Sequence, residues 1–258
     1  MDTQLQQKVV LITGSSRGIG AAIAKSFAEQ GATVVINYVK SKERAEQLAE
    51  DLMDQYDIEA YAVQGDVTIE SDMKAMIADV VSEFDTIDIV VNNALHAYTF
   101  DPDKRKFAWE LEWEDYQRQI DGALKGTYNV CKYVIPIMKK ASSGRIVNMV
   151  SNLVYRPVVP YHDYNTAKGA VLSFSQNLAV DLGMFGITVN CVAPGLVYPT
   201  DASRTTKEEV KELIKSQTPL RRIAKPEDVV GSVLFFASSW SAFVTGQCMV
   251  VDGGFVMK

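Results

Sequence analysis

The 258-residue chain has few of the residues that build metal centres or covalent staples. It has three cysteines (Cys131, Cys191, Cys248) and two histidines (His96, His162). The cysteines are odd in number, far apart and in no metal-binding spacing, so a disulfide framework is excluded and a reduced compartment is expected. Two lone histidines do not make a zinc enzyme. No apolar run approaches the roughly 18 residues of a membrane span. The first residues, Met1 to Lys8, carry an acid and lack the apolar stretch of a secretory signal, so a cytoplasmic location is expected. A basic surplus is also missing: 26 Lys and Arg stand against 32 Asp and Glu, a net charge of -6, which argues against DNA or RNA as a partner. Linkers, repeats and low-complexity stretches are absent, so a single domain, 1–258, is expected.

What is present is an alternation. Short β-branched runs, at Lys8–Thr13, Thr33–Asn37, Ala60–Val67, Ile87–Val91, Arg145–Val150, Ile187–Val192 and Gln247–Val251, read as strands. Helical spacing fills the intervals: Gly18–Gln30, Ser41–Tyr56, Ser71–Phe84, Trp113–Lys140 (one long helix or two joined), Tyr164–Leu182, Glu208–Ser216 and Glu227–Ala237. Continuous apolar strands alternating with helices predict an α/β fold: a doubly wound (Rossmann) parallel sheet of about seven strands with helices on both faces. Two long segments, near 95–112 and 195–217, break the rhythm. Both follow strand ends, where such sheets bind ligands, so both are candidate substrate loops.

After the first strand comes Thr13-Gly-Ser-Ser-Arg-Gly-Ile-Gly20. Glycines at Gly14, Gly18 and Gly20 between a strand and a helix suit a tight turn, close approach to a pyrophosphate and close helix–strand packing. The helix N-terminus beyond them offers unpaired N–H groups to phosphate oxygens. Ser16, Arg17 and Ile19 share that loop and are candidate dinucleotide contacts. An NAD site usually places an acid about 20 residues on. Gln30–Lys42 has none; it has Asn37, Tyr38, Lys40 and Lys42. With Arg17 close by, these favour a cofactor with a 2′-phosphate, NADPH/NADP+, over NAD. The alternative is that Lys40 and Lys42 only begin a solvated helix.

A Tyr four residues before a Lys puts both on one helix face, where the ammonium can tune the phenol as a proton donor. The spacing occurs three times, at Tyr38–Lys42, Tyr128–Lys132 and Tyr164–Lys168. Tyr38 ends a strand, and Tyr128 lies inside the long helix. Only Tyr164–Lys168 follows a strand that ends in a serine, Ser151, so only there can a hydroxyl, a phenol and an ammonium converge.

The combination of Thr13-Gly-Ser-Ser-Arg-Gly-Ile-Gly20, Asp66-Val67, Asn92-Asn93-Ala94, Ser151, Tyr164-Asn-Thr-Ala-Lys168, Pro194-Gly195 and Val251-Asp-Gly-Gly254 resembles the short-chain dehydrogenase/reductase family along essentially the whole chain. Gly186-Ile-Thr-Val-Asn190 and the Thr245-Gly-Gln ending look most like its 3-oxoacyl-[acyl-carrier-protein] reductase branch. The resemblance implies NADPH-dependent reduction of a 3-oxoacyl thioester to the 3-hydroxyacyl product. Tyr164 would give the proton, Lys168 would lower its pKa and hold the nicotinamide ribose, and Ser151 would bond the carbonyl. Asp66 and Val67 would meet the adenine. Asn92 and Ala94 would line the cofactor cleft, and Pro194, Gly195 and Val197 would flank the nicotinamide amide. A homotetramer (or homodimer) and docking of an acyl carrier protein are further implications. The alternatives are another small ketone or alcohol (sugar, steroid, polyol), or an NADP-binding sensor without catalysis.

The chain departs from the family pattern at several places. Leu95 stands where a glycine is usual, and Ala123 where the catalytic Asn is usual, reducing the tetrad to Ser151, Tyr164 and Lys168. Pro199, followed by Thr200, stands where a Thr is expected. The loop after Asn93 is longer than usual, and Phe185 replaces a basic residue that docks the carrier, although Lys139, Lys140 and Arg145 remain nearby. His96, His162, Tyr155 and Tyr161 are weaker candidates for the substrate pocket, with surface polarity or packing as the plain alternatives. Cys131 and Cys191 read as buried small hydrophobes. The Trp240, Phe243, Met249 and Val256 region reads as core or as part of a symmetric interface.

Overall fold

The computed structural model describes residues 3–95, 98, 100, 101, 103 and 105–257. Seven strands form one parallel sheet: β1 (Val9–Ile12), β2 (Thr33–Tyr38), β3 (Ala60–Gln64), β4 (Ile89–Asn92), β5 (Gly144–Met149), β6 (Ile187–Pro194) and β7 (Cys248–Val251). Their spatial order is β3-β2-β1-β4-β5-β6-β7, and every pairing is parallel. The chain leaves β1 towards β3 and returns to the other side of β1 as β4. The order therefore reverses between β1 and β4, and the crevice at their carboxyl ends is where such a sheet takes a ligand.

Side chains alternate across the sheet with a period of two. Val10 and Ile12 of β1 enter one apolar cluster with Ile23, Phe27, Val229 and Phe236. Val9 and Leu11 enter the opposite one with Met73, Val80, Val130 and Val134. Helices α1 (Gly18–Glu29), α2 (Lys42–Tyr56) and α8 (Pro226–Ala237) therefore cover one face. Helices α3 (Glu70–Phe84), α5 (Gly126–Ala141) and α6 (His162–Leu182) cover the other, and α4 (Trp113–Ile120) and α7 (Glu208–Gln217) complete the set. Burying both faces is what the near-continuous Val/Ile runs require. Among the described residues no helix is long and apolar enough to cross a membrane.

The structure corrects some expected boundaries. The third strand stops at Gln64 rather than Val67, because Gly65 N–H bonds the Tyr38 carbonyl and the Asp66 side chain then accepts from Thr68 N–H and hydroxyl, forming a turn. The sixth strand runs two residues further, to Pro194. The helical stretch from Trp113 is two joined helices, and the joint has a form the sequence did not indicate. A π-helical turn, Asp121–Lys125, separates α4 from α5. Such turns recur at functional sites, and this one carries Ala123 beneath the cleft, packed with Val150, Ala167, Val171 and Cys191.

Candidate active site

The first wall of the cleft is the glycine loop, fastened from both sides. Gly14 N–H donates to Asn37 Oδ1 at 3.0 Å, and Asn37 N–H donates to the Ser15 hydroxyl at 3.1 Å. From the β4 side, Asn93 Nδ2 donates to the carbonyls of Thr13 and Gly14 at 3.0 and 3.1 Å, while the Thr13 hydroxyl accepts from Asn93 and Ala94 N–H. Gly14 has φ +61°, and a β-carbon there would lie 2.9 Å from Ala94 Cα, so neither the conformation nor the space admits a side chain. Gly18, at φ +58°, is less crowded, with Thr200 the nearest group at an ordinary contact distance of 3.9 Å. Behind it α1 begins without a side-chain cap, leaving its N–H groups available. A glycine without a crowding neighbour in front of an uncapped helix fits a pyrophosphate, so the residues present suit a dinucleotide.

One cavity of about 1010 Å³ takes in Gly14, Ser16, Arg17, Gly18, Ile19, Gly20, Asn37, Tyr38, Lys40, Asp66, Val67 and Ala94 on one side, and Ser151, Tyr164, Lys168, Pro194, Gly195 and Val197 on the other. Asn92 is not part of that lining. It ends β4 and its side chain is bonded to the neighbouring strand β5, with Nδ2 donating to Asn148 Oδ1 at 2.8 Å. Asn37 touches the cavity, but its side chain is committed to the protein: besides accepting from Gly14, its Nδ2 donates to the Gly65 carbonyl at 3.0 Å. It shapes the loop rather than reaching out of it.

At the far end, Ser151 closes β5 and Tyr164 and Lys168 share one face of α6. All three are buried. Lys168 Nζ donates to the Met149 carbonyl at 2.7 Å and lies 5.9 Å from the centre of the Tyr164 ring. Burial pushes the Tyr164 phenol up to about 12, offset in part by its hydrogen bond with Ser151. Burial pushes the Lys168 ammonium down to about 8. The phenol is therefore held protonated here by desolvation rather than lowered by the lysine. The other two Tyr–Lys spacings lead elsewhere. Tyr128 is exposed and Lys132 pairs with Glu70, while Lys42 pairs with Glu46 on the outside of α2.

Two features escaped sequence reading. Tyr98 stacks on Tyr164 with ring centres 5.1 Å apart, and Phe100 meets the same ring edge-on at 5.1 Å. Tyr161 packs against both, and the Tyr98 hydroxyl donates to Asp163 Oδ1 at 3.2 Å. Tyr98 and Phe100 thus lie against the phenol ring. Through its N–H to the Ala202 carbonyl, 3.1 Å, Phe100 is tied to the second long loop. Aromatics in an aperiodic loop gave no signal beyond their presence. Of the weaker candidates, Tyr161 lines the cavity, Tyr155 and His162 do not, and His96 lies outside the described residues. Asp252 pins the opposite rim: it accepts from Asn152 Nδ2 and from the N–H groups of Gly254 and Val256.

The chain is similar to known proteins along its whole length. A family model described as Enoyl-(Acyl carrier protein) reductase matches residues 14–256. The 3-oxoacyl-[acyl-carrier-protein] reductase FabG of Staphylococcus epidermidis is 36% identical over 250 residues, 97% of this chain and 99% of that protein. The protein of the same name from Aquifex aeolicus is 36% identical over 254 residues, covering 98% and 99%. Among solved structures, a gluconate 5-dehydrogenase from Burkholderia cenocepacia J2315, in complex with NADP and tartrate, superposes with a TM-score of 0.89 at 30% identity, covering 98% of this chain and 97% of that one. Sequence motifs, sheet order and these relationships agree: the chain belongs to the short-chain dehydrogenase/reductase family, oxidoreductases that interconvert CH–OH and C=O with a nicotinamide cofactor.

Proposed function

We propose that the protein is an NADPH-dependent carbonyl reductase whose substrate is a 3-oxoacyl thioester. The observation that carries the reading is the convergence of Ser151, Tyr164 and Lys168, from β5 and α6, on one wall of the cavity whose other wall is the glycine loop. Bound NADPH supplies the hydride that reduces the carbonyl carbon. The Ser151 hydroxyl bonds the substrate oxygen, and Tyr164 delivers its proton to that oxygen. A phenol held near 12 is protonated at neutral pH, as a donor in the reducing direction must be. Arg17 and Lys40, with no acid between Gln30 and Lys42, favour the 2′-phosphorylated cofactor.

The apolar part of the cavity favours an acyl arm. Phe100, Leu153, Val158, Val210 and Ile214 are among its lining residues, and an aliphatic chain gains about 25 cal/mol for each Å² it buries against such groups. Lys139 Nζ lies 4.2 Å over the Phe185 ring, so a cation stands where the sequence puts an aromatic, which supports docking of an acidic acyl carrier. Exposed Trp113, Val180, Met184 and Phe243 support assembly into a homotetramer or homodimer.

The test is NADPH oxidation with an acetoacetyl thioester, run beside NADH, on the parent and on Tyr164→Phe. Loss of about a hundredfold or more in turnover with NADPH binding retained is expected; near-parental activity of the variant refutes the role of Tyr164. A second reading, oxidation of a polyhydroxy acid, is favoured by the similarity to the gluconate 5-dehydrogenase. Inert thioesters together with reduction of NADP+ by gluconate would select it.

A further inference from the structure

Arg17, the cation of the glycine loop, is met from across the cleft. Its Nε lies 3.1 Å from Asp201 Oδ2, in the loop that follows β6. The carboxylate is presented from a stiff turn. Thr200 N–H donates to the Ser203 hydroxyl at 3.0 Å, Ser203 N–H donates to the Thr200 hydroxyl at 3.2 Å, and the two hydroxyls are 2.8 Å apart. Ser203 is buried, and Ala202 between them is bonded to Phe100 of the other loop. Thr200 also stands over Gly18, so the turn spans the mouth of the phosphate site.

A guanidinium is a planar fork with five donors. Engaged along its Nε edge, it keeps the two terminal nitrogens for another anion, and a pair of terminal N–H groups is the arrangement that grips a phosphate bidentately. We propose that Asp201 is a positioning residue for Arg17: it holds the fork turned into the cleft and so sharpens selection of a dinucleotide carrying a 2′-phosphate. The inference rests on the NADPH reading above and names the residue that tunes it. A carboxylate that merely competed with the phosphate for Arg17 would have the opposite effect on affinity.

The test is fluorescence titration of NADPH and NADH into the enzyme without substrate, for the parent, Asp201→Asn, Arg17→Met and the double variant. Both side chains are about half exposed, so the effect is that of a surface ion pair. Asp201→Asn is expected to weaken NADPH about threefold, leave NADH unchanged, and have no further effect once Arg17 is Met. Equal weakening of both cofactors would overturn the proposal in favour of general loop closure, and tighter NADPH binding would overturn it in favour of competition. Failure of the underlying reading is separate: Arg17→Met would then leave the ratio of NADPH to NADH affinity at its parental value, whatever Asp201→Asn does.

Discussion

An acid at the end of β2 is the obvious graft for converting an NADPH enzyme to NADH, and Asn37→Asp is the smallest such change. The structure argues that it will damage the fold instead. Asn37 is 1% exposed, and its Nδ2 faces the carbonyls of Gly65 at 3.0 Å and of Val63 and Tyr38 at 3.5 Å. An aspartate keeps the bond from Gly14 N–H but sets a buried carboxylate oxygen against those carbonyls. An uncompensated buried charge costs about 3–5 kcal/mol, and in a domain of this size each kcal/mol moves Tm by about 2–4 °C. A fall of roughly 10 °C at pH 7.5, with weakened NADPH binding, is expected. The sign with pH follows from linkage. The folded carboxyl is raised above its unfolded value near 4, so the penalty is absent below that value and grows as pH rises towards the folded one. At pH 5 the deficit is limited to about 1.5 kcal/mol, because only about one unit separates that pH from the unfolded pKa. Calorimetry of parent and variant at pH 5 and 7.5 tests this. A Tm within 2 °C of the parent at both values, or a clean switch to NADH, would refute the reasoning.

Two further substitutions probe the walls of the cleft. Lys168→Met should abolish turnover yet stabilise the fold by about 2 kcal/mol at pH 7: burial lowers the Lys168 pKa from 10.5 to about 8, a penalty of about 3 kcal/mol, less the bond to Met149. The folded pKa lies below the unfolded one, so the parent recovers stability as pH rises from 8 towards 10.5, and the advantage should shrink over that window; thermal unfolding at pH 7 and 9.5 checks it. Gly14→Ala combines a left-handed φ of +61° with a contact 2.9 Å from Ala94 Cα. The two costs, about 1–2 and 1–3 kcal/mol, should together lower Tm by roughly 10 °C and weaken NADPH binding, and a parental melting curve would show that the loop yields more easily than its packing suggests.

Much of the architecture was legible because it is written locally. Most strands are short apolar runs rich in Val and Ile, of the length the sheet needs. The glycine loop, Ser151 and the Tyr164–Lys168 pair stand in an order that leaves one arrangement open. What stayed hidden is non-local or aperiodic. The π-turn at Asp121–Lys125 follows a short helix whose buried residues are the polar Asp115 and Gln119, so no apolar stripe marks the place where the helix changes. Asn37 reads in sequence as a cofactor candidate because it falls in the stretch where an NAD site places its acid; its commitment to Gly14 and Gly65 depends on where β3 turns. The stacking of Tyr98 on Tyr164 and the pairing of Arg17 with Asp201 join loops that only the folded chain brings together. Asn92 and Asn93 are adjacent in sequence yet serve different partners, because successive residues leaving a strand point to opposite sides.

The departure at Ala123 can be weighed by the opposite displacements of the phenol and the ammonium. Unperturbed, the two groups titrate near 10 and 10.5, and neither holds a proton in preference to the other. Here burial pushes the phenol up and the ammonium down, so Lys168 becomes the stronger acid. In the proposed reduction, a tyrosinate left after Tyr164 gives up its proton would regain one from Lys168 downhill, without help from a side chain at position 123. What Ala123 removes is a polar group that could hold water near Lys168, whose nitrogen is bonded to the Met149 carbonyl. The methyl instead joins the apolar packing with Val150, Ala167 and Cys191, and burial of the ammonium is what lowers the lysine. Losing the asparagine therefore bears on the resupply of Lys168 from solvent, and leaves proton delivery at Tyr164 to the pair that burial has already set apart.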